Sequence, residues 1–527
     1  MRASYSLQKG AYILLNNKLK MCIPVKAFYF CAMFKKAALL AIFFCLFFTL
    51  RSLAGYYYDF NTRCQSAYQA YTSFKIAEAN KLLEAELKDH PNNLIAIYLY
   101  SYDDVFTLLF RGDPAELKRR RNNLSIRMNV LDKGDKNSPW YAYTKATLYF
   151  HWAAINIRFN DMTTGANLFR KSYNNLKENQ SKFPNFKQND ILLGVAEGMI
   201  GTIPNNYKWM VNLLGFKGSV KSGNTRIINY LNNTGSDAQL LKEEAIVYYC
   251  YFKSILYSEP KLAFEYLDAN KIDVRNNYLL AFTKANIALN NNKSALAQNI
   301  LNNLNKDNGY MEVPAFNFEM GQAALFSLDD DCIRYFNRFL NSTKNNYFIK
   351  ETYQKMSQYY WVMGNKTKAD EYKNYCLQYG SAITDGDKQA LRYAKSSSYP
   401  DATLLKIHLL CDGGNYLKAN TVISKYKKTD FLKEADQLEF TYRNAQIYNA
   451  LGQKNLAIAF YEETVKTGAE RTEHYAARAA LELGNIYEDQ GQKATAIKWY
   501  HTCMDMKNHD YENSLEQKAK AALNRLK

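Results

Sequence analysis

Gly218 and Gly223, with four residues between them and Asn224 and Thr225 following, come within one residue of the pattern of a phosphate-binding loop. Such a loop needs a Lys directly after its second glycine, to hold the terminal phosphates, and a buried strand ahead of its first. Asn224 stands at the Lys position, and upstream Trp209, Leu213 and Phe216 recur at helical spacing. The pattern therefore reads as a turn: Gly215 and Gly218 end one helix, and Ser219 or Ser222 begins the next.

Metal chemistry has one candidate. His501, Asp505 and His509 recur at every fourth position, with Cys503 nearby, and on a continuous helix they would share a face. The helix carrying them is expected to be ending there, which favours an exposed polar face. Asp329, Asp330 and Asp331 lack the alternating spacing and closing Glu of a calcium loop, and read instead as the capped start of a helix. With six His in 527 residues and neither HExxH nor GxSxG, no catalytic residue and no cofactor is assigned. The chain is read as non-enzymatic.

The elements that would carry any site are helical. The 43 Tyr and 29 Phe stand against only 9 Pro and 23 Gly, a composition that suits helices joined by short polar turns. The net charge of +18 raises the question of nucleic acid, but the segment from Met1 to Ala54 holds eight Lys or Arg and no acid, leaving +10 for the rest. The one tight basic run beyond it, Lys118 to Arg121, reads as a solvated helix face, and no nucleic-acid module accompanies it. Three Cys belong to that first segment; the other six are widely scattered, with no paired spacing, and read as buried thiols.

Lys35 and Lys36 precede an apolar run, Ala37 to Leu50, followed by Ser52, Leu53 and Ala54. The run is shorter than the ~18–20 residues of a membrane span, so residues 1–54 read as a signal peptide cleaved after Ala54, the true start being Met33. An uncleaved anchor is the other reading, and peripheral membrane association stays open.

A repeating unit sets the architecture. In the stretch 481–503, Leu483, Gly484, Tyr487, Gly491, Ala496, Tyr500 and Cys503 are spaced as a small-residue and aromatic code for a helix, a turn and a second helix. Ala445, Tyr448, Gly452, Ala457 and Tyr461 repeat it one unit earlier. The small residue of the second helix then recurs upstream as Ala419, Ala369, Ile333 and Ala297. The longest step, from Ala369 to Ala419, accommodates one extra helix, Asp385 to Lys395. Gly364, Gly414, Gly452 and Gly491 make the turns. This code resembles the tetratricopeptide (TPR) repeat, whose period is about 34 residues. Ala79 and Pro91 mark a degenerate unit near the start, and the segments Trp140 to Phe159 and Thr163 to Glu178 carry apolar residues at three- and four-residue spacing. The expected fold is an all-α solenoid of stacked antiparallel helix pairs. Residues 55–235 would form a degenerate helical half and 236–527 the repeat array.

Around the glycines, Gly201, Pro204, Gly215, Phe216, Gly218 and Gly223 resemble the signature of the inclusion-body clearance protein family, TPR proteins of eukaryotic cells. With its leader, the chain is also similar to exported repeat proteins of the Gram-negative envelope, of the periplasm or outer membrane. These resemblances imply recognition of a protein or peptide on the surface lined by the first helix of each pair. Glycan capture at the cell surface and a cytosolic adaptor role are the alternatives.

Overall fold

Four prolines mark where helices begin. Pro114, Pro139, Pro260 and Pro314 each lie in a helical first turn, where a missing N–H leaves no bond unmade. The computed structural model of the protein describes residues 55–203, 215–235, 239–307 and 309–526. The leader, Pro204 and Trp209 lie outside the described residues.

The N-terminal part runs α1 (Thr62–Thr72), α2 (Ile76–Asp89), α3 (Leu94–Arg111), α4 (Pro114–Arg120), α5 (Asn123–Leu131), α6 (Pro139–Arg158) and α7 (Met162–Lys182). It continues through α8 (Asn189–Gly201), α9 (Val220–Leu231), α10 (Lys242–Tyr251) and α11 (Pro260–Ala269). Then come α12 (Tyr278–Asn290), α13 (Ser294–Asn302), α14 (Pro314–Leu325), α15 (Asp331–Ser342), α16 (Ile349–Val362), α17 (Lys366–Gln378) and α18 (Asp385–Lys395). The chain ends with α19 (Ala402–Asp412), α20 (Tyr416–Ile423), α21 (Glu434–Ala450), α22 (Lys454–Gly468), α23 (Tyr475–Asp489), α24 (Lys493–Asp505) and α25 (Glu512–Arg525). Among the described residues the extended pairing is one isolated bridge, Tyr57 to Asn93. The protein is an all-α solenoid of consecutive antiparallel helix pairs.

The expected helices of the N-terminal part are present, but α1 and α3 also pack on α12 and α14, so this part closes on the start of the array. Its abundant tyrosines need buried acceptors. Glu244, on α10, supplies them: it accepts from Tyr102 Oη at 2.8 Å and from Tyr248 Oη at 3.1 Å, while its own N–H donates to Tyr68 Oη at 3.2 Å. Burial pushes the Glu244 carboxyl up to about 6, against the pull of those hydroxyls.

The basic run 118–121 is not uniformly solvated. Arg120 turns inward from α4 and pairs with Asp104 at 2.9 Å, Asp103 at 3.0 Å and Glu116 at 3.0 Å. Arg127 completes the pairing of Asp104. Two adjacent buried aspartates would otherwise lack countercharge, and removing one member of such a network is costly. Lys118, Arg119 and Arg121 stay exposed.

In the array the turn glycines hold the left-handed conformation expected of them, with φ of +79° at Gly364, +76° at Gly414, +78° at Gly452 and +74° at Gly491. Ala297, Ala369, Ala419, Ala457 and Ala496 are fully buried where the paired helices approach. The register differs at α15: Cys332 is the fully buried residue, and Ile333 lies beside it, half-buried. The first helices of successive pairs, α12, α14, α16, α19, α21, α23 and finally α25, pack one on the next in a row. The turn between α19 and α20 reaches back across that row, where Gly413 O accepts from Ser294 Oγ at 2.8 Å and Asn415 Nδ2 donates to Phe326 O at 2.9 Å. No described helix is long and apolar enough to cross a membrane.

Candidate functional site

The glycine segment is built for close packing. Gly215 has φ +75°, and Phe216 buries its ring against Phe169 and Tyr173, with centroids at 5.8 and 5.2 Å. Tyr173 Oη donates to Lys217 O at 2.8 Å and accepts from Lys217 N–H at 3.1 Å. Ser219 caps α9 by accepting from Ser222 N–H at 3.0 Å, as the turn reading expects. A Cβ at Gly218 would run into the backbone of Glu197, and one at Gly223 into Gly194 O. The signature glycines thus let α9 lie directly on α8. Arg226 fastens the same crossing by pairing with Asp190 at 2.7 Å and Glu197 at 3.0 Å.

The metal candidate is not brought together. Helix α24 ends at Asp505, so His509 lies beyond it, its Nδ1 2.8 Å from Asp510 O, while His501 and Asp505 face solvent. Among the described residues no cluster of three or more His, Cys, Asp or Glu could hold a metal ion. Cys503 is buried, which pushes its thiol up to about 12. The repeat residues around it serve packing: a Cβ at Gly484 would meet the ring of Tyr500, Gly491 turns the chain with φ +74°, Ala496 is fully buried and Tyr487 packs against that core. Asp329 caps α15 by accepting from Asp331 N–H at 3.0 Å.

The polar feature left over lies on the row of first helices. Four of them in succession present charges one turn apart: Glu351 and Lys355 on α16 (3.2 Å), His408 and Asp412 on α19 (3.1 Å), Glu439 and Arg443 on α21 (3.2 Å), Arg478 and Glu482 on α23 (2.9 Å). His408 Nδ1 also faces Glu439 at 3.8 Å, linking two helices. The row curls, so that Tyr511, ahead of α25, reaches Gln389 of α18 and lies close to Asp412. Its ring stands edge-on to His474 at 5.0 Å, and His474 lies 4.4 Å from Tyr475. Burial first, then the positive Arg443 and neighbouring His408, push the His474 imidazole down to about 4.

The result is a row of charged rungs, with the rings of Tyr442, Tyr475 and His474 packed in series beside them. Arg443 is 5% exposed, whereas the His408 and Asp412 side chains are 39% and 38% exposed, so the row is most accessible at His408 and Asp412. The sequence held a signal for it. Glu439 and Arg443 recur one repeat later as Arg478 and Glu482, the same two repeat positions with the signs exchanged.

The fold defines a class: an α-solenoid of TPR-like helix pairs, with a row of ion pairs along its first helices. No family model matches the sequence, and no curated protein matches it. Among solved structures the chain is similar to the TPR domain of P58(IPK), at 14% identity over 81% of this chain and 98% of that one, with a TM-score of 0.20. It is similar also to the APC/C hetero-tetramer Cut9–Hcn1, at 11% identity over 86% of this chain and 95% of that one, with a TM-score of 0.21. At such scores the likeness carries no weight beyond the helix pairs already described.

Proposed function

We propose that this protein is a non-enzymatic scaffold that holds a protein or peptide segment in the groove along α16, α19, α21, α23 and α25. The observation that carries the reading is the succession of partly exposed charged rungs on neighbouring helices. Stacked helix pairs offer long surfaces of this kind, and recognition on them needs no chemistry. The basic, apolar, small-residue order of residues 1–54 supports work outside the cytoplasm, in the periplasm or at the outer membrane of a Gram-negative cell.

Crosslinking capture tests both parts. The full chain, tagged at its C-terminus and expressed behind its own leader, should be recovered as material starting at Gly55 with a reproducible protein partner. Arg443→Ala with Arg478→Ala should lose that partner while helicity stays unchanged. Recovery of the chain alone, from exported material, would sink the scaffold reading.

A further inference from the structure

The rungs are not equivalent. Arg443 is saturated: its Nε and Nη2 both donate to Glu439 Oε1 at 3.2 Å, and its Nη1 donates to Gln446 Oε1 at 2.8 Å. Arg478 is not. Its Nε donates to Glu482 Oε1 at 2.9 Å, and the other Glu482 oxygen is taken by Asn485 Nδ2 at 3.2 Å. The two Nη groups of Arg478 have no acceptor among the described residues. Lys518, on α25, lies half-buried close by with no acceptor for its ammonium; burial and the charge of Arg478 both lower its proton affinity. This end of the groove holds two cations around one fully used carboxylate.

The opposite end has the reverse imbalance. Asp412 receives His408 Nε2 at 3.1 Å, and the other ring nitrogen of that same imidazole faces Glu439. Arg443 pairs with Glu439, and Asp412 has no Lys or Arg within ion-pair distance among the described residues. Against its burial, the Asp412 carboxyl is held below the usual range by His408 and then by the more distant Arg443 and Lys355, so Asp412 and Glu439 share one guanidinium and one imidazole at close range. Between the ends lie the rings packed in series, with the Arg443 guanidinium 5.4 Å over the Tyr442 ring.

Resting on the reading that the groove holds a peptide segment, we infer that it is bipolar and selects an extended segment carrying one basic and one acidic side chain. The basic side chain meets Asp412 and the acidic one meets Arg478 and Lys518. From α19 to α23 is two helix steps of about 8–10 Å each, which an extended chain at about 3.3 Å per residue spans in about five or six residues. A segment carrying two charges of one sign places like charge against like at one end, so the groove discriminates by repulsion as well as attraction.

Selection of a random twelve-residue peptide library, displayed on phage, against the immobilised full chain tests this. Enriched sequences should share a basic and an acidic residue at one separation. Replacing either of those residues in a synthetic winner by one of the opposite charge should weaken binding by about tenfold or more. Asp412→Asn should erase the basic preference and Lys518→Met the acidic one; neither change removes a partner from a paired group within ion-pair range other than His408. Enriched sequences with no charge pair, or preferences unmoved by both variants, would overturn the bipolar groove and leave the scaffold standing. No enrichment at all on protein of native circular dichroism would overturn the inference and count against the scaffold as well.

Discussion

The carboxylate of Asp387, on α18, accepts the backbone N–H of Phe348 at 2.8 Å and of Glu351 at 3.1 Å. The helix inserted into the repeat array thus caps α16, whose own N-cap residue, Phe348, sits at φ +62° and offers no side-chain acceptor. Asp387 is fully buried, and Thr384 Oγ1 donates to it at 2.6 Å. Asp387→Ala should therefore lower unfolding free energy by about 1–3 kcal/mol, with Asp387→Asn costing less. Urea denaturation checks it, and an unchanged midpoint for the Ala variant would refute the capping role.

The glycine segment yields a paired prediction. At Gly223 a methyl group meets backbone, so Gly223→Ala must part α8 from α9 and should cost about 1–3 kcal/mol. At Gly215 a methyl group meets nothing, and Gly215→Ala should cost only the left-handed conformation, about 1–2 kcal/mol. Pulse proteolysis would then show new cleavage around α9 in the first variant and not in the second.

Glu319, on α14, is 3% exposed, accepts one hydrogen bond from Asn286 Nδ2 at 3.1 Å, and keeps its other oxygen unpartnered. Burial pushes its carboxyl from the ordinary 4.5 up to about 8. The folded protein holds that proton up to about pH 8, while the unfolded chain releases it near its ordinary value. Stability from this group is therefore present at low pH and lost as pH rises through that window. Glu319→Gln should flatten the decline in melting temperature between about pH 5 and about pH 9. A slope identical to that of the parent would show that Glu319 does not drive it.

Thiol chemistry gives the fourth test. Burial pushes Cys64, Cys250, Cys411 and Cys503 up to about 12 and Cys376 to about 11, and raises Cys332 as well. All six described thiols are free and buried. None should react with an aromatic disulfide reagent at neutral pH on the minute timescale, and all should do so once denaturant is added. Fast titration of any one in the native protein would contradict the packing around it.

The repeat code showed the extra helix Asp385 to Lys395, the turn glycines and the buried alanines from spacing alone, because helix period and close helix approach are local demands on residue type. It placed Ile333 where Cys332 is buried, because α14 and α15 are joined by five residues where the other pairs of the array have three, and the phase of a helix face depends on the turn before it. It read Arg120 as solvated because a charge run looks the same whether or not Asp103 and Asp104 wait on another helix. It expected the helix carrying His501, Asp505 and His509 to be ending, and α24 does end at Asp505, which leaves His509 beyond it.

What the sequence by itself determined is the class: a helical period of about 3.6 and a longer repeat of about 34 residues or slightly more leave stacked helix pairs as the arrangement that buries every apolar face. What the tertiary structure decided is which charges are satisfied. Arg443 and Arg478 each have a Glu one turn away on the same helix, but Gln446, three residues on along α21, answers Arg443 locally where Arg478 has Leu481. Only the packing of α25 on α23 sets Lys518 beside Arg478 and gives that open rung a second cation.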